Sequence, residues 1–334
     1  MFKSASPFIL IFLFLISACT HKKDKRLHID VSRVNLPAVK IHRYDIDLFR
    51  VSPNDLFDGL ESIKNEYMLF LGTNLSDPKK LDEMRSYLSN ERTLDFHRAC
   101  EAKYKDLSNL EMDLTIAFKH FKYYYQDIKV PDVYTYISGG DYENPIQITD
   151  SAMIIALDTY LGQDFKPYLA DGVPLYKTLR MTQEHILPDC MKAIVDRVYP
   201  GNPQMGNLLG QMIEAGKKQY FVDAMLPDLP GALKIGYTPA QFDWITKNES
   251  HIWAAIIENR MLYTTDNHLI RAFMTDGPYT PEFSKDSPPR LGEWIGWQIV
   301  KAYMNQNPEV SLAQLMQDND PQKILTLSAY KPGK

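Results

Sequence analysis

The spacing of apolar positions changes several times along this chain, and each change predicts a different kind of element. Phe8 to Ile16 is an unbroken apolar run. Val39 to Tyr44 alternates apolar and polar residues, which suits a half-buried strand. Helical spacing follows: Pro53 opens a segment with Leu56, Leu60, Ile63 and Tyr67 on one face. Asp77-Pro78 supplies an N-cap and a proline at the first helical position. Between Asn109 and Tyr125, the residues Leu110, Leu114, Ala117, Phe118, Phe121 and Tyr125 share an inner face. The strand period returns at Asp132 to Ile137 and ends in the turn Gly139-Gly140-Asp141. Ile146 to Leu157 reads as a second strand, wholly apolar from Met153 to Leu157, as a central strand buried on both faces would be. From Pro174 on, helices dominate, predicted over Val173–Ile186, Pro188–Val198, Asn207–Phe221, Thr238–Asn259 and Pro289–Met304. Thr238-Pro239-Ala240-Gln241 is a capping box with proline at the first helical position. The predicted fold class is α+β and mostly helical. A small sheet lies in the N-terminal and middle part, a helical C-terminal half follows, and one globular domain covers residues 31–334.

The N-terminal run is too short for a bilayer, which needs about 20 apolar residues, but suits the core of a signal peptide. Lys3 is the only charge before His21, and Ser17, Ala18 and Cys19 close the run. Leu15-Ile16-Ser17-Ala18-Cys19 resembles the lipobox read by bacterial lipoprotein signal peptidase. The expectation is a lipoprotein signal over residues 1–18, cleavage before Cys19, thioether lipidation of Cys19 and acylation of its new amino group, palmitate being one such acyl chain. Three acyl chains exceed the two signals that stable anchoring requires. The alternative is an ordinary signal peptide with an incidental cysteine. Residues 19–30 are expected to be a lipidated tether, basic from Thr20 to Arg26 and suited to anionic headgroups.

Removing residues 1–18 takes away Lys3 alone and moves the formal net charge from −5 to −6. A mildly acidic chain is a poor partner for nucleic acid, and none is expected. Cys100 and Cys190 are the cysteines left after lipidation. They either pair in an oxidising compartment or stay as two buried thiols.

No Gly-rich phosphate loop, nucleophile elbow, Cys-x-x-Cys or His-Glu-x-x-His is present, and no two of the eight histidines lie four residues apart. No cofactor and no metal are expected. The densest polar cluster is Glu184-His185-Ile186-Leu187-Pro188-Asp189, with Glu214 on the next predicted helix. One reading makes Glu184, His185, Asp189 and Glu214 a metal or acid–base site. The other makes it a helix boundary, with carboxylates in the first turn of one helix and His185 near the end of the one before. The last long helix opens Pro289-Arg290-Leu291-Gly292-Glu293-Trp294-Ile295-Gly296-Trp297 and carries two of the four tryptophans. Gly292 and Gly296 lie one turn apart, and each costs about 1 kcal/mol relative to alanine in a helix interior. Close approach of another backbone compensates such a cost. The glycines therefore mark either tight helix packing in the core or an aromatic-walled groove for a partner segment, with Arg290, Trp294 and Trp297 as its candidate residues.

Several stretches together resemble the GldB family of gliding-motility lipoproteins from the Bacteroidetes group. They are Leu157-Asp158-x-Tyr160-Leu161-Gly162, Pro188-Asp189-Cys190-Met191-Lys192, Gly216-Lys217-x3-Phe221 with Ala224-Met225-Leu226-Pro227, Gly236-Tyr237-Thr238-Pro239, and Arg290 to Val300. The resemblance implies a membrane-anchored envelope lipoprotein associated with gliding motility and type IX secretion, with no established catalytic activity. Its implied partners are the membrane and other envelope proteins of that machinery. More distantly, the order of strand, Leu-Asp-x-Tyr-Leu-Gly and two helices resembles zincin-like peptidases of the gluzincin type. Glu214 matches their third ligand, but Asp189-Cys190-Met191-Lys192-Ala193 replaces the His-Glu-x-x-His helix, and Lys192 and Lys217 bring positive charge where a cation would sit. Two functions follow as expectations. The first is a non-enzymatic lipoprotein that binds envelope proteins through its helical face. The second is a peptidase-like or cell-wall hydrolase with a non-standard site around Asp158, Glu184, His185, Asp189 and Glu214.

Thr20, His21 and Lys22 follow Cys19. They contain neither the aspartate that retains enterobacterial lipoproteins in the inner membrane nor an acidic run like those on surface-exposed Bacteroidetes lipoproteins. The expected location is the outer membrane, lipid-anchored and facing the periplasm. Cys19→Ala should abolish labelling by a radioactive or clickable fatty acid and leave an unprocessed precursor on a gel; a variant processed and membrane-held like the parent would refute the lipobox assignment.

Overall fold

The computed structural model describes residues 26–202 and 205–333. The expected signal segment and Cys19 lie outside the described residues. Four strands form one mixed sheet in the order β1 (Ile41–Arg43), β2 (Asp132–Tyr136), β4 (Ala152–Ala156), β3 (Ile146–Ile148). β1 and β4 run parallel to β2, with Val133 between Ile41 and Met153, and β3 pairs antiparallel with β4. All five residues of β4 are buried, as its apolar run predicts.

Ten helices of eight residues or more surround the sheet among the described residues. They are α1 (Leu56–Ile63), α2 (Pro78–Ser89), α3 (Glu91–Lys103), α4 (Ser108–Tyr124), α5 (Ile186–Val198), α6 (Leu208–Met225), α7 (Pro239–Glu258), α8 (Asn267–Met274), α9 (Leu291–Gln306) and α10 (Pro321–Ser328). The α+β class and the helical C-terminal half agree with the sequence reading. On α4, Leu114, Ala117, Phe118 and Phe121 face inward. Asp77 caps α2 by accepting from Lys79 N at 3.0 Å, and Thr238 and Gln241 close the capping box of α7.

Three expectations need correction. Ile146 to Leu157 is two strands, not one. Thr149 Oγ1 accepts from Ala152 N at 3.0 Å and reverses the chain there, a side-chain turn that an apolar count does not register. Val173–Ile186 is not one helix. It holds a turn at Leu175–Thr178 and a 3-10 turn at Gln183–His185, divided by Thr182 in an extended conformation (φ −126°, ψ 158°). The tether does not reach residue 30. Leu27 is part of the main core. Arg26 donates to the carbonyls of Met304 at 2.6 Å, Asn307 at 3.3 Å and Val310. These carbonyls lie at and beyond the C-terminus of α9, whose last turn has no basic residue of its own, so Arg26 satisfies carbonyls that the helix leaves open.

The main apolar core joins the sheet to α4, α5, α6 and α9. A smaller cluster of Tyr44, Leu48, Leu56, Leu60, Tyr67 and Leu71 underlies α1 and α2, and Phe49 packs against both. Cys100 and Cys190 are unpaired thiols, each fully buried.

Helix α6 is buried nearly all round, so it forms the centre of the helical half. It crosses α9 with backbones in contact. A β-carbon on Gly296 would overlap the Met212 carbonyl, and one on Gly216 would overlap the Gly296 carbonyl. Gly292, one turn earlier, faces the Met274 sulfur and the Phe273 carbonyl of α8. The expected compensation for helix-interior glycines is therefore present.

Gly296→Ala should destabilise the fold at the upper end of the usual overpacking range, about 3 kcal/mol or more, because a carbonyl cannot move aside as a side chain does. Gly277→Ala, whose new carbon would lie 3.7 Å from the nearest atom, should be near neutral. Chemical denaturation of the two variants checks the pair; equal midpoints would contradict the contact.

Candidate functional site

A polar cleft of about 600 Å³ opens where the C-terminal end of the sheet meets the helical half. Asp189 and Lys192 of α5 form one wall, Tyr142 and Tyr160 another, and Arg180, Asp276 and Arg290 the floor. Arg290 stands just before α9 with φ +56°, in the left-handed region. Its guanidinium holds it there. It donates to Ile235 O at 2.9 Å and Glu293 at 2.7 Å, lies 3.3 Å from Asp276 and sits over the Tyr237 ring at 5.3 Å. Burial alone would lower the pKa of Arg290. Glu293, with smaller contributions from Tyr237 and Asp276, outweighs it and holds the group charged. Asp276 also pairs with Arg180.

Asp158 does not line this cleft. It follows β4, fully buried, and its carboxylate accepts from Ser138 N at 2.8 Å, Ser138 Oγ at 2.8 Å and Gly140 N at 3.1 Å. It ties the ends of β2 and β4 around a turn in which Gly139 (φ +73°) and Gly140 (φ +101°) take backbone conformations that favour glycine. Burial raises its pKa, opposed by those hydrogen bonds, and the net shift is upward.

The remaining candidates separate. Asp189 accepts from the Tyr160 hydroxyl at 3.1 Å and pairs with Lys192 at 3.3 Å. Glu214 pairs with the buried Lys217, which also donates to Asp318 O at 2.9 Å. Glu184 is exposed, and a hydrogen bond from the Thr182 side chain lowers its pKa. His185 places Nδ1 2.9 Å from Thr182 Oγ1, and its buried Nε2 has no protein partner. His185 closes the 3-10 turn Gln183–His185, at the helix boundary the sequence predicts, and also occupies the N-cap position of α5. The positive end of the α5 dipole disfavours an imidazolium there. Burial is the leading cause of its lowered pKa. His185 and Arg290 line a second, smaller cavity of about 230 Å³, which shares Arg180 and Asp276 with the cleft. Of the sequence candidates, Asp189 and Arg290 face the cleft together, while Asp158, Glu184 and Glu214 line neither cavity.

Trp294 and Trp297 lie elsewhere, along α9. Both are buried, at 2% and 1% exposure, so the core reading holds for their rings. Each indole N–H is satisfied: Trp294 donates to Glu249 at 3.1 Å and Trp297 to Asp223 at 2.7 Å. Their edges wall a groove of about 920 Å³. Lys234 pairs with Asp223 at 2.8 Å, and Lys301 sits 4.5 Å over the Trp297 ring.

The family model of the gliding motility protein GldB matches residues 24–332. The chain belongs to the GldB family. The motifs that carried the resemblance now have places in this GldB-family fold: Asp158 to Gly162 ties the sheet, Asp189 lines the cleft, and Gly216 and Gly296 form the helix crossing. No curated protein and no solved structure matches the chain. The zincin-like resemblance finds no support in these comparisons. Where the chain offers Asp189 and Lys192 on α5, the two sit as a salt-bridged pair, and among the described residues no group of three His, Cys, Asp or Glu side chains is close enough to hold a metal. Arg180 and Asp276 escaped the sequence reading because their pairings join distant segments with no local spacing to betray them, and Glu293, three residues from Arg290, shows its reach to Gln219 only in the fold.

Burial holds the imidazoles of His97, His120 and His185 below the ordinary value of 6.5. Between that value and the lower folded ones, the unfolded chain binds more protons, so stability falls as pH falls through this window. The melting temperature should drop between about pH 7 and about pH 5, and His185→Gln should shrink the drop. Thermal scans across that range decide it, and an unchanged slope in the variant would contradict the burial argument.

Proposed function

We propose that this member of the gliding-motility family is a non-enzymatic envelope lipoprotein. In this reading Cys19 anchors it in the outer membrane, facing the periplasm, and it binds other envelope proteins of the motility and type IX secretion machinery. Family membership supports the association with gliding motility and with lipoproteins of the envelope. Among the described residues no helix is long and apolar enough to cross a membrane.

The observation that favours binding over catalysis is the fate of the acidic candidates. A general acid or base must converge with its partners around the reacting group. Asp189 and Glu214 are each salt-bridged to a lysine one turn on, and Asp158 is spent on the Ser138–Gly140 turn. A hydrolase centred on Asp158, His185, Asp189 and Glu214 would need these groups in one cleft, and only Asp189 faces the larger one. The cleft, with tyrosine walls and an Arg180–Asp276–Arg290 floor, suits a polar protein segment.

Chemical crosslinking in intact cells, followed by capture of the lipidated chain, should recover a motility or secretion protein of the envelope. Replacing Tyr142 and Lys192 in the cleft by alanine should reduce that recovery while leaving the melting temperature close to the parent's. Recovery of no envelope protein, together with turnover of peptide or cell-wall fragments by the purified chain, would overturn the reading. Protease treatment of intact cells tests the orientation, since digestion without permeabilisation would place the domain on the cell surface.

A further inference from the structure

The groove along α9 is built from parts that the protein-binding cleft does not use. Its apolar lining comes from Phe242, Ala302, Met304 and Pro308 and from the edges of Trp294 and Trp297. Four cations line it, Arg26, Lys234, Lys301 and Lys331, against two carboxylates, Asp223 and Glu249. Both carboxylates are engaged within the fold: Asp223 with Lys234, with Lys301 at 3.8 Å and with the Trp297 indole, Glu249 with the Trp294 indole and the Tyr330 hydroxyl at 2.8 Å. The groove is therefore an apolar trough with a positive margin.

Its position points to what fills it. Arg26, Leu27 and His28 line this groove, as do Tyr330 to Gly333. Cys19 precedes Arg26 by seven residues, three of which are Lys22, Lys23 and Lys25. Even fully extended, seven residues span no more than about 25 Å. A chain acylated at Cys19 thus holds this groove within about 25 Å of the headgroups, with basic residues in between that favour an anionic leaflet. A phospholipid matches both halves of the lining, an acyl chain for the apolar surface and a phosphate for Lys301 and Lys331.

We propose that the α9 groove binds an anionic phospholipid drawn from the membrane that anchors the chain. The proposal rests on the lipid-anchor reading, but the two fail in different measurements. The lipidated chain is reconstituted in phosphatidylcholine vesicles containing, at equal mole fraction, either phosphatidylglycerol or phosphatidylcholine with brominated acyl chains. Tryptophan emission should be quenched more strongly by the brominated phosphatidylglycerol. Ala302→Phe fills the trough and leaves every charge in place, and it should abolish the difference. Lys301→Gln with Lys331→Gln should do the same, and decides the matter if the filled variant does not fold. Equal quenching by the two lipids, or a difference that survives these substitutions in a folded chain, would overturn the proposal. A chain expressed from Thr20, without the signal segment and Cys19, reads the anchor by loss of flotation with vesicles. The same chain mixed with brominated vesicles still reads the groove.

Discussion

The contact between Gly216 and Gly296 fixes the distance between α6 and α9, and the helical half is arranged around that distance. At so close an approach the flanking side chains cannot lie between the helices. Trp294, Trp297, Met212 and Ile213 flank the crossing and are all buried in the main core. The two indole rings then meet edge to face at 5.6 Å. Gly292 extends the same close approach to α8. A methyl group at Gly216 or Gly296 would move a main chain, whereas one at Gly292 would first displace the Met274 side chain.

A helix buried all round must also account for its polar groups. Helix α6 carries Lys217, Gln219 and Asp223 inside the fold. Lys217 has Glu214 and the Asp318 carbonyl, Gln219 has Glu293, and Asp223 has Lys234 and the Trp297 indole. Removing one partner of such a buried pair costs more than the pair itself contributes, because the survivor is left desolvated. Gln219 and Arg290 both reach Glu293, so the cleft floor is coupled to the central helix through one carboxylate.

Features whose causes are local could be read from the sequence. The capping box at Thr238, the proline-led start of α2, the buried β4 run and the paired glycines of α9 all have their reasons within a few residues. What could not be read depends on distant or side-chain-made contacts. Nothing in the spacing of Gly292 and Gly296 names Gly216, eighty residues earlier, as the partner. The reversal at Thr149 and the break at Thr182 come from single side chains or dihedral angles inside apolar stretches. Helix α3 went unread because its buried stripe is only Thr93, Phe96 and Cys100. The candidate site was legible as an inventory more than as an arrangement: Asp189 and Arg290 do share a cleft, but Glu184, His185, Asp189 and Glu214 were grouped by closeness along the chain.

Arg26 gives the molecule a particular response to force. A pull transmitted from the N-terminal side enters through a guanidinium seated on the last carbonyls of α9, and through Leu27, which is buried in the core beside it. The traction is shared at once with the packing of α9 over α6. Among the described residues that path meets Arg26 and Leu27 before β1, so such a pull would reach the core before the short ladder of β1. Were the chain anchored at Cys19 as proposed, an N-terminal segment fastened to the end of a central helix would carry that load into the core of the domain.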